Sequence, residues 1–279
     1  MIDPISAAWL AVAGVTLLGD PLVVVSIGIA AYLFGGRLRS GGRDRTREAM
    51  LLGLIAGALA LTAALKTGLA ITRPGGASTL PGSEGMGPVV ESIYTWVVGP
   101  GGYAFPSGHA TGAAVGWGGL AWVFADDDRR PLLVAGGAIV AIAASRVALG
   151  VHRPLEVSVG IGLGLTYLAV ATRVAGTPRR TFALAGVIGT TSPLFVALDT
   201  DGLFAAGFAL GGFVGWELLG AGRPSYRTSA IAIGGGLAVI GLFALRLELS
   251  QVALTLLAAG GGVAVVAAPL AVGNDRKNE

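Results

Sequence analysis

Tyr103-Ala104-Phe105-Pro106-Ser107-Gly108-His109 leads directly into an apolar segment, residues 107–125, close to the length of about 20 residues that a helix needs to cross a bilayer. Ser107 is an N-cap residue type, and the backbone N–H groups that follow it have no partner inside the helix. A helix start of this kind takes up phosphate through those N–H groups and the helix dipole. Gly108 permits close backbone approach, and His109 is placed to protonate a leaving oxygen. Read alone, the stretch also fits an ordinary capped helix with an incidental histidine.

Further apolar segments lie on both sides, at 20–36, 48–72, 131–149, 154–175, 182–199, 202–220, 228–247 and 251–272. Residues 5–18 are apolar but short, and Gly19-Asp20-Pro21 ends them, so this N-terminal piece reads as membrane-associated or re-entrant. The chain is 53% hydrophobic and 13% charged, with a mean hydropathy of +0.75, whereas soluble domains carry about 25% charged residues. The expected class is an all-α, polytopic transmembrane helical bundle. With no cysteine and two histidines, neither a disulfide framework nor a structural zinc site is expected. The net charge of +3 resides in arginines of short inter-helix loops, which reflects membrane topology rather than nucleic-acid binding.

Those arginines orient the spans. Arg37, Arg39, Arg43, Arg45 and Arg47 mark the first loop as cytoplasmic. Alternation then places 73–106 outside, Arg129 and Arg130 inside, Arg173, Arg179 and Arg180 inside, and Arg223 and Arg227 inside. Arg73, His109, Arg146, His152 and Glu156 consequently fall at the outer ends of their segments. Of the long outer loop, Gly75 to Pro88 reads as irregular. Val89 to Val98, with Tyr94 and Trp96, reads either as a segment lying at the headgroup level or as an ordinary interfacial loop.

Two further elements join the first. Lys66-x6-Arg73-Pro74 spaces two cations by about two helical turns, which places them on one helix face if the helix continues to Pro74. Snorkelling of Lys66 is the plainer alternative. Ser145-Arg146-x5-His152-x3-Glu156 puts a cation at the end of one span and a histidine in the short turn before the next. A carboxylate that accepts from one imidazole nitrogen fixes the tautomer and frees the other nitrogen as a nucleophile. The plainer alternative here is a surface ion pair of Arg153 with Glu156. A cation at the edge of a hydrocarbon-spanning helix is costly, and one shared anion accounts for all three cations.

These three stretches together, in this order, resemble the signature motifs of the type 2 phosphatidic acid phosphatase superfamily, which includes membrane lipid phosphatases and soluble vanadium haloperoxidases. The resemblance covers about 20–175, giving an expected organisation of a membrane-associated N-terminal segment 1–19, a phosphatase-like helical core 20–175 and additional C-terminal transmembrane helices 176–279. By similarity Lys66, Arg73, Ser107, Gly108 and Arg146 hold the phosphate, His152 attacks phosphorus, Glu156 orients His152, and His109 is the acid and then the base. No metal or other cofactor is implied. One departure stands out: the third motif of the family ends in Asp, and Glu156 carries its carboxylate ~1.5 Å further from the backbone.

The resemblance implies a multi-pass cell-membrane enzyme with an extracytoplasmic site. It would hydrolyse lipid phosphate monoesters or polyprenyl diphosphates through a phosphohistidine. The partners are then a membrane lipid substrate and no nucleic acid. Two rival readings differ in class. One is a weak or inactive homologue that binds or transports phospholipid, and the other is a vanadate-dependent haloperoxidase. Gly234-Gly235-Gly236 and Gly260-Gly261-Gly262 are expected to serve close helix packing or homo-oligomer formation rather than a second site.

Overall fold

The computed structural model describes residues 3–38, 46–77, 79–99, 101–125, 128–195, 200–219 and 251–272. Among them there is no strand. The helices are α1 (Pro4–Leu17), α2 (Pro21–Leu38), α3 (Thr46–Leu69), α4 (Pro88–Val98), α5 (Gly108–Phe124), α6 (Arg130–Ala148), α7 (Pro154–Ala175), α8 (Pro178–Phe195), α9 (Thr200–Leu219) and α10 (Gln251–Val272). The all-α, membrane-spanning class expected from composition is the class observed. By length and apolarity α3, α6 and α7 are candidate spans, and α1 with the first part of α2 forms a fourth, interrupted between Leu17 and Pro21. The expected span 228–247 lies outside the described residues.

The chain forms two compact units. One comprises Met1–Val24 and Leu65–Tyr167, and the other Val25–Ala64 and Leu168–Glu279.

In the first unit, α1 starts at a sequence-encoded cap: Asp3 Oδ1 accepts from the N–H groups of Ile5 and Ser6, and Pro4 occupies the first turn, where its missing N–H is harmless. Helix α1 packs on α4 and α6. Ala13, Leu80, Met86, Tyr94, Val98 and Val151 form its buried contact region. The segment expected at the headgroup level is helix α4. Tyr94 and Val98 face inward, while Val89, Ile93 and Trp96 are exposed. Tyr94 Oη donates to the Pro81 carbonyl at 2.9 Å, tying α4 to the loop before it.

Helix α7 reaches α5 through glycines. A methyl at Gly160 would stand 2.8 Å from the Ser107 carbonyl, and one at Gly164 2.8 Å from that of Thr111. Only hydrogen at these positions lets the two backbones meet, and this closeness carries the start of α7 to the start of α5. The Ser107 N–H then donates to the Glu156 carbonyl at 3.2 Å.

In the second unit, Tyr32, Leu52, Phe182, Phe204, Phe208 and Val265 lie in one buried cluster. Tyr32 Oη donates to the Val266 carbonyl at 3.0 Å. From sequence, Glu217 and Arg246 near opposite ends of their spans read as snorkelling residues; in the structure Glu217 pairs with Arg179 at 2.5 Å, and that guanidinium lies over the Phe213 ring. Arg246 is outside the described residues. Helices α9 and α10 approach through Gly211, Gly215 and Gly262. A methyl at Gly211 would collide with the Ala259 carbonyl, and one at Gly262 with that of Phe208.

Gly211→Ala is therefore expected to destabilise the detergent-purified chain by about 1–3 kcal/mol through overpacking, read as a lower thermal unfolding midpoint. Gly136→Ala in α6, where an added methyl meets nothing within 4 Å, should leave the midpoint unchanged or raise it, with a gain in stability of up to about 1 kcal/mol through helix propensity. Equal midpoints for the two variants would contradict the packing account.

Candidate active site

Helix α3 ends at Leu69, earlier than the spacing of Lys66 and Arg73 suggests. Ala70 takes a left-handed backbone conformation, φ +49°, and its N–H closes the last turn on the Lys66 carbonyl at 2.9 Å. The chain then turns away, so Lys66 and Arg73 do not share a helix face. Arg73 lies in irregular chain beyond the helix, where the Ala104 N–H donates to the Ile71 carbonyl at 2.8 Å. A left-handed alanine carries no sequence signal of the kind glycine gives, which is why the helix reads as longer than it is.

Arg73 is held by carbonyls of two other segments. Its Nη2 donates to Gly101 at 2.6 Å, its Nε to Gly102 at 3.2 Å and its Nη1 to Val151 at 2.8 Å. The same Nη1 stands 3.2 Å from His152 Nε2. None of these carbonyls is visible as a partner in sequence, since backbone acceptors leave no residue signature.

His152 and Glu156 are both buried. His152 Nδ1 lies 2.9 Å from Glu156 Oε2. With an acceptor at Nδ1 and a donor at Nε2, the hydrogen-bond pattern assigns the neutral Nδ1–H tautomer, and the Nε2 lone pair faces Arg73. Glu156 is also held by Arg153, whose backbone N–H reaches Oε2 at 3.0 Å and whose Nη1 reaches Oε1 at 2.9 Å. The Arg153 ion pair and the histidine contact therefore coexist, one on each carboxylate oxygen. The longer glutamate side chain still meets the imidazole at a normal hydrogen-bond length. Burial, and then the charge of Arg73, push His152 well below its ordinary pKa of 6.5 against the support of Glu156, and Arg146 and Lys66 add to the depression.

Ser107 caps α5, accepting at Oγ from the Ala110 N–H at 3.5 Å, with Thr111 Oγ1 on its carbonyl at 3.0 Å. Gly108 opens the helix, and His109 follows it. His109 Nε2 is buried and has no hydrogen-bond partner among the described residues, and the same holds for Arg146 Nε. Arg146, at the end of α6, is 2% exposed. Its Nη1 donates to Thr16 Oγ1 of α1 at 3.2 Å, a partner the sequence reading missed. The one available hint was that Thr16 and Ser6 are the hydroxyl side chains of the apolar run 5–18. Lys66, Arg73, Arg146 and His152 all act electrostatically on His109.

All eight residues singled out from sequence thus lie in the first unit. The structure joins Arg73, His152 and Glu156 by direct contacts, links Ser107 to Glu156 through the backbone, and places Lys66, Arg146 and His109 in one shared field. Buried polar groups in native proteins are almost always paired. Two unpaired nitrogens beside a group of cations have the character of a place for an anion. Among the described residues, no group of three or more metal-ligating side chains is gathered anywhere.

Residues 48–180 match the PAP2 superfamily. No curated protein and no solved structure matches the chain. Lys66-x6-Arg73-Pro74, Pro106-Ser107-Gly108-His109 and Ser145-Arg146-x5-His152 all lie inside the matched segment. The three motifs and the match together tie the segment 48–180 to the PAP2 superfamily.

Proposed function

We propose that this chain is an integral membrane phosphatase that hydrolyses lipid phosphate monoesters or polyprenyl diphosphates through a phosphohistidine on His152. The match of residues 48–180 to the PAP2 superfamily implies phosphatase activity on phosphoesters. The finer reading is carried by one observation: a buried imidazole bound at Nδ1 to a carboxylate, with Nε2 3.2 Å from an arginine nitrogen.

In this reading Arg73 marks where the phosphoryl group sits. Its guanidinium lies beside the nucleophilic nitrogen, and turning it onto the phosphate oxygens uncovers the Nε2 lone pair. Nε2 attacks phosphorus, and the bond from phosphorus to the leaving oxygen breaks. His109 gives that oxygen a proton. Glu156 holds Nδ1–H and balances the positive charge that develops on the ring, as the acid of a catalytic triad does. Water then attacks the phosphohistidine, His109 takes its proton, and phosphate leaves with Nε2 restored. Arg146 and Lys66, with the Ser107–Gly108 turn, neutralise and position the phosphate, which is most of what phosphoryl transfer asks of a protein. The depressed pKa of His152 keeps the nucleophile unprotonated at neutral pH.

The apolar spans favour an amphiphilic substrate whose tail stays in lipid. The arginine distribution of the loops favours the extracytoplasmic side for the site and the cell membrane for the protein. The three-part organisation into 1–19, 20–175 and 176–279 remains part of this proposal.

Two measurements test it. Phosphate release by the detergent-purified chain, with EDTA present, is expected from at least one of phosphatidic acid, phosphatidylglycerol phosphate and a polyprenyl diphosphate. It should drop by at least about 10³-fold in His152→Ala, the scale seen when a triad member is removed. No release from any of them by folded protein would move the reading to a phospholipid-binding or transporting homologue.

The second is histidine NMR. His152 is expected to remain neutral at pH 6 in the Nδ1–H form. Arg73→Met removes a cation that opposes protonation, so it should raise the titration midpoint by about one unit or more. Glu156→Gln removes support for the protonated ring and should lower it. Shifts of the opposite sign would refute the assigned geometry.

A further inference from the structure

The interruption between α1 and α2 lies outside the segment matching the PAP2 superfamily, 48–180. It nevertheless touches the two residues of the site whose side chains keep a buried unpaired nitrogen. Thr16 is fully buried, and its Oγ1 accepts from Arg146 Nη1 at 3.2 Å. One turn further on, Gly19 lies against the start of α5. A methyl at Gly19 would stand 2.5 Å from Ile142 Cγ2, 3.1 Å from the His109 carbonyl and 3.5 Å from His109 Cβ. The interruption is fixed in place by α5, because Trp117 Nε1 donates to the Leu18 carbonyl at 3.1 Å. Beyond it Asp20 caps α2, accepting at Oδ1 from the Leu22 N–H at 2.8 Å, and its charge acts on Arg146.

Resting on the phosphatase reading, we propose that this N-terminal interruption is a working part of the phosphate site, with Thr16 the positioning residue for Arg146 and Gly19 the positioning residue for His109. A guanidinium on a flexible stem needs a fixed acceptor to present its remaining donors in one direction. Thr16 supplies that acceptor from a buried position on α1, where the β-branched side chain has restricted rotamers. The free Nε edge is then the edge offered to phosphate. Gly19 acts by size: an added methyl collides with Ile142 Cγ2 and stands tight against the His109 carbonyl, so the start of α5 has to give by a few tenths of an ångström. The two positions therefore act on different steps, Thr16 on anion binding and Gly19 on proton transfer.

The experiment compares Thr16→Val, Thr16→Ser and Gly19→Ala with wild type, Arg146→Ala and His152→Ala in the full-length, detergent-purified chain. Inorganic phosphate is the probe. Its affinity is measured by calorimetry, and KM and kcat are read from phosphate release. Thr16→Val keeps the shape and removes the acceptor. It is expected to weaken phosphate binding and raise KM about tenfold or more, the scale for losing a hydrogen bond to a charged group. Thr16→Ser, which keeps the hydroxyl, should restore both. Gly19→Ala should lower kcat and leave phosphate affinity nearly unchanged.

Calorimetry needs no turnover, so weakened binding in Thr16→Val would support the positioning role of Thr16 even if no variant released phosphate, an outcome that sinks only the phosphatase reading. Unchanged affinity and KM in Thr16→Val, with Arg146→Ala defective, would overturn the role of Thr16 alone. Unchanged kcat in Gly19→Ala would overturn that of Gly19. If Thr16→Val fails to fold, Thr16→Ala carries the same comparison, again judged by whether serine rescues it.

Discussion

The Arg146 guanidinium is almost wholly removed from solvent, and one of its nitrogens has no partner among the described residues. An arginine does not shed its charge when buried, so its surroundings must be arranged around the ion. The features of the first unit follow from that constraint. Thr16 offers a hydroxyl acceptor, Asp20 places a negative charge within electrostatic reach, and His152 is kept neutral instead of adding another cation. Glu156 is held on both oxygens, and Arg73 is distributed over three carbonyls. Within this group the charge is not balanced by carboxylates alone, and a bound phosphate would complete it.

Positions that carry no side chain do much of the assembly. Gly160 and Gly164 let α7 lie on the backbone of α5, which is how the end of one motif comes to face the start of another. At Gly19 the missing Cβ leaves room for the Ile142 side chain and for a close approach to the His109 carbonyl. These contacts explain why a site built from segments about 30 to 130 residues apart can be held within hydrogen-bond distances. The separations are spanned by rigid helices that meet where Cβ atoms are missing.

How much of this was readable in the sequence depends on where the information sits. The start of α5 was legible, because Ser107 is an N-cap type directly before a continuous apolar run. The start of α7 was legible from Pro154, and the four-residue spacing of His152 and Glu156 implied their contact. The interruption before α2 was legible from Gly19-Asp20-Pro21. The end of α3 was not, since Ala70 adopts a conformation that alanine does not advertise. The acceptors around Arg73 were not legible either, because they are backbone carbonyls. Thr16 was passed over because one hydroxyl in an apolar helix is ordinarily satisfied by its own backbone. The pairing of Glu217 with Arg179 was not legible, because the two are distant in sequence.

The central claim is that phosphate passes through a covalent bond to His152. The direct test is rapid acid-free quenching of the purified chain during turnover of a lipid phosphate labelled in the phosphoryl group, followed by peptide mapping. The account expects a transient, acid-labile and alkali-stable label on the peptide containing His152, absent in His152→Ala. Steady phosphate release with no labelled intermediate, or an equal label in His152→Ala, would contradict it.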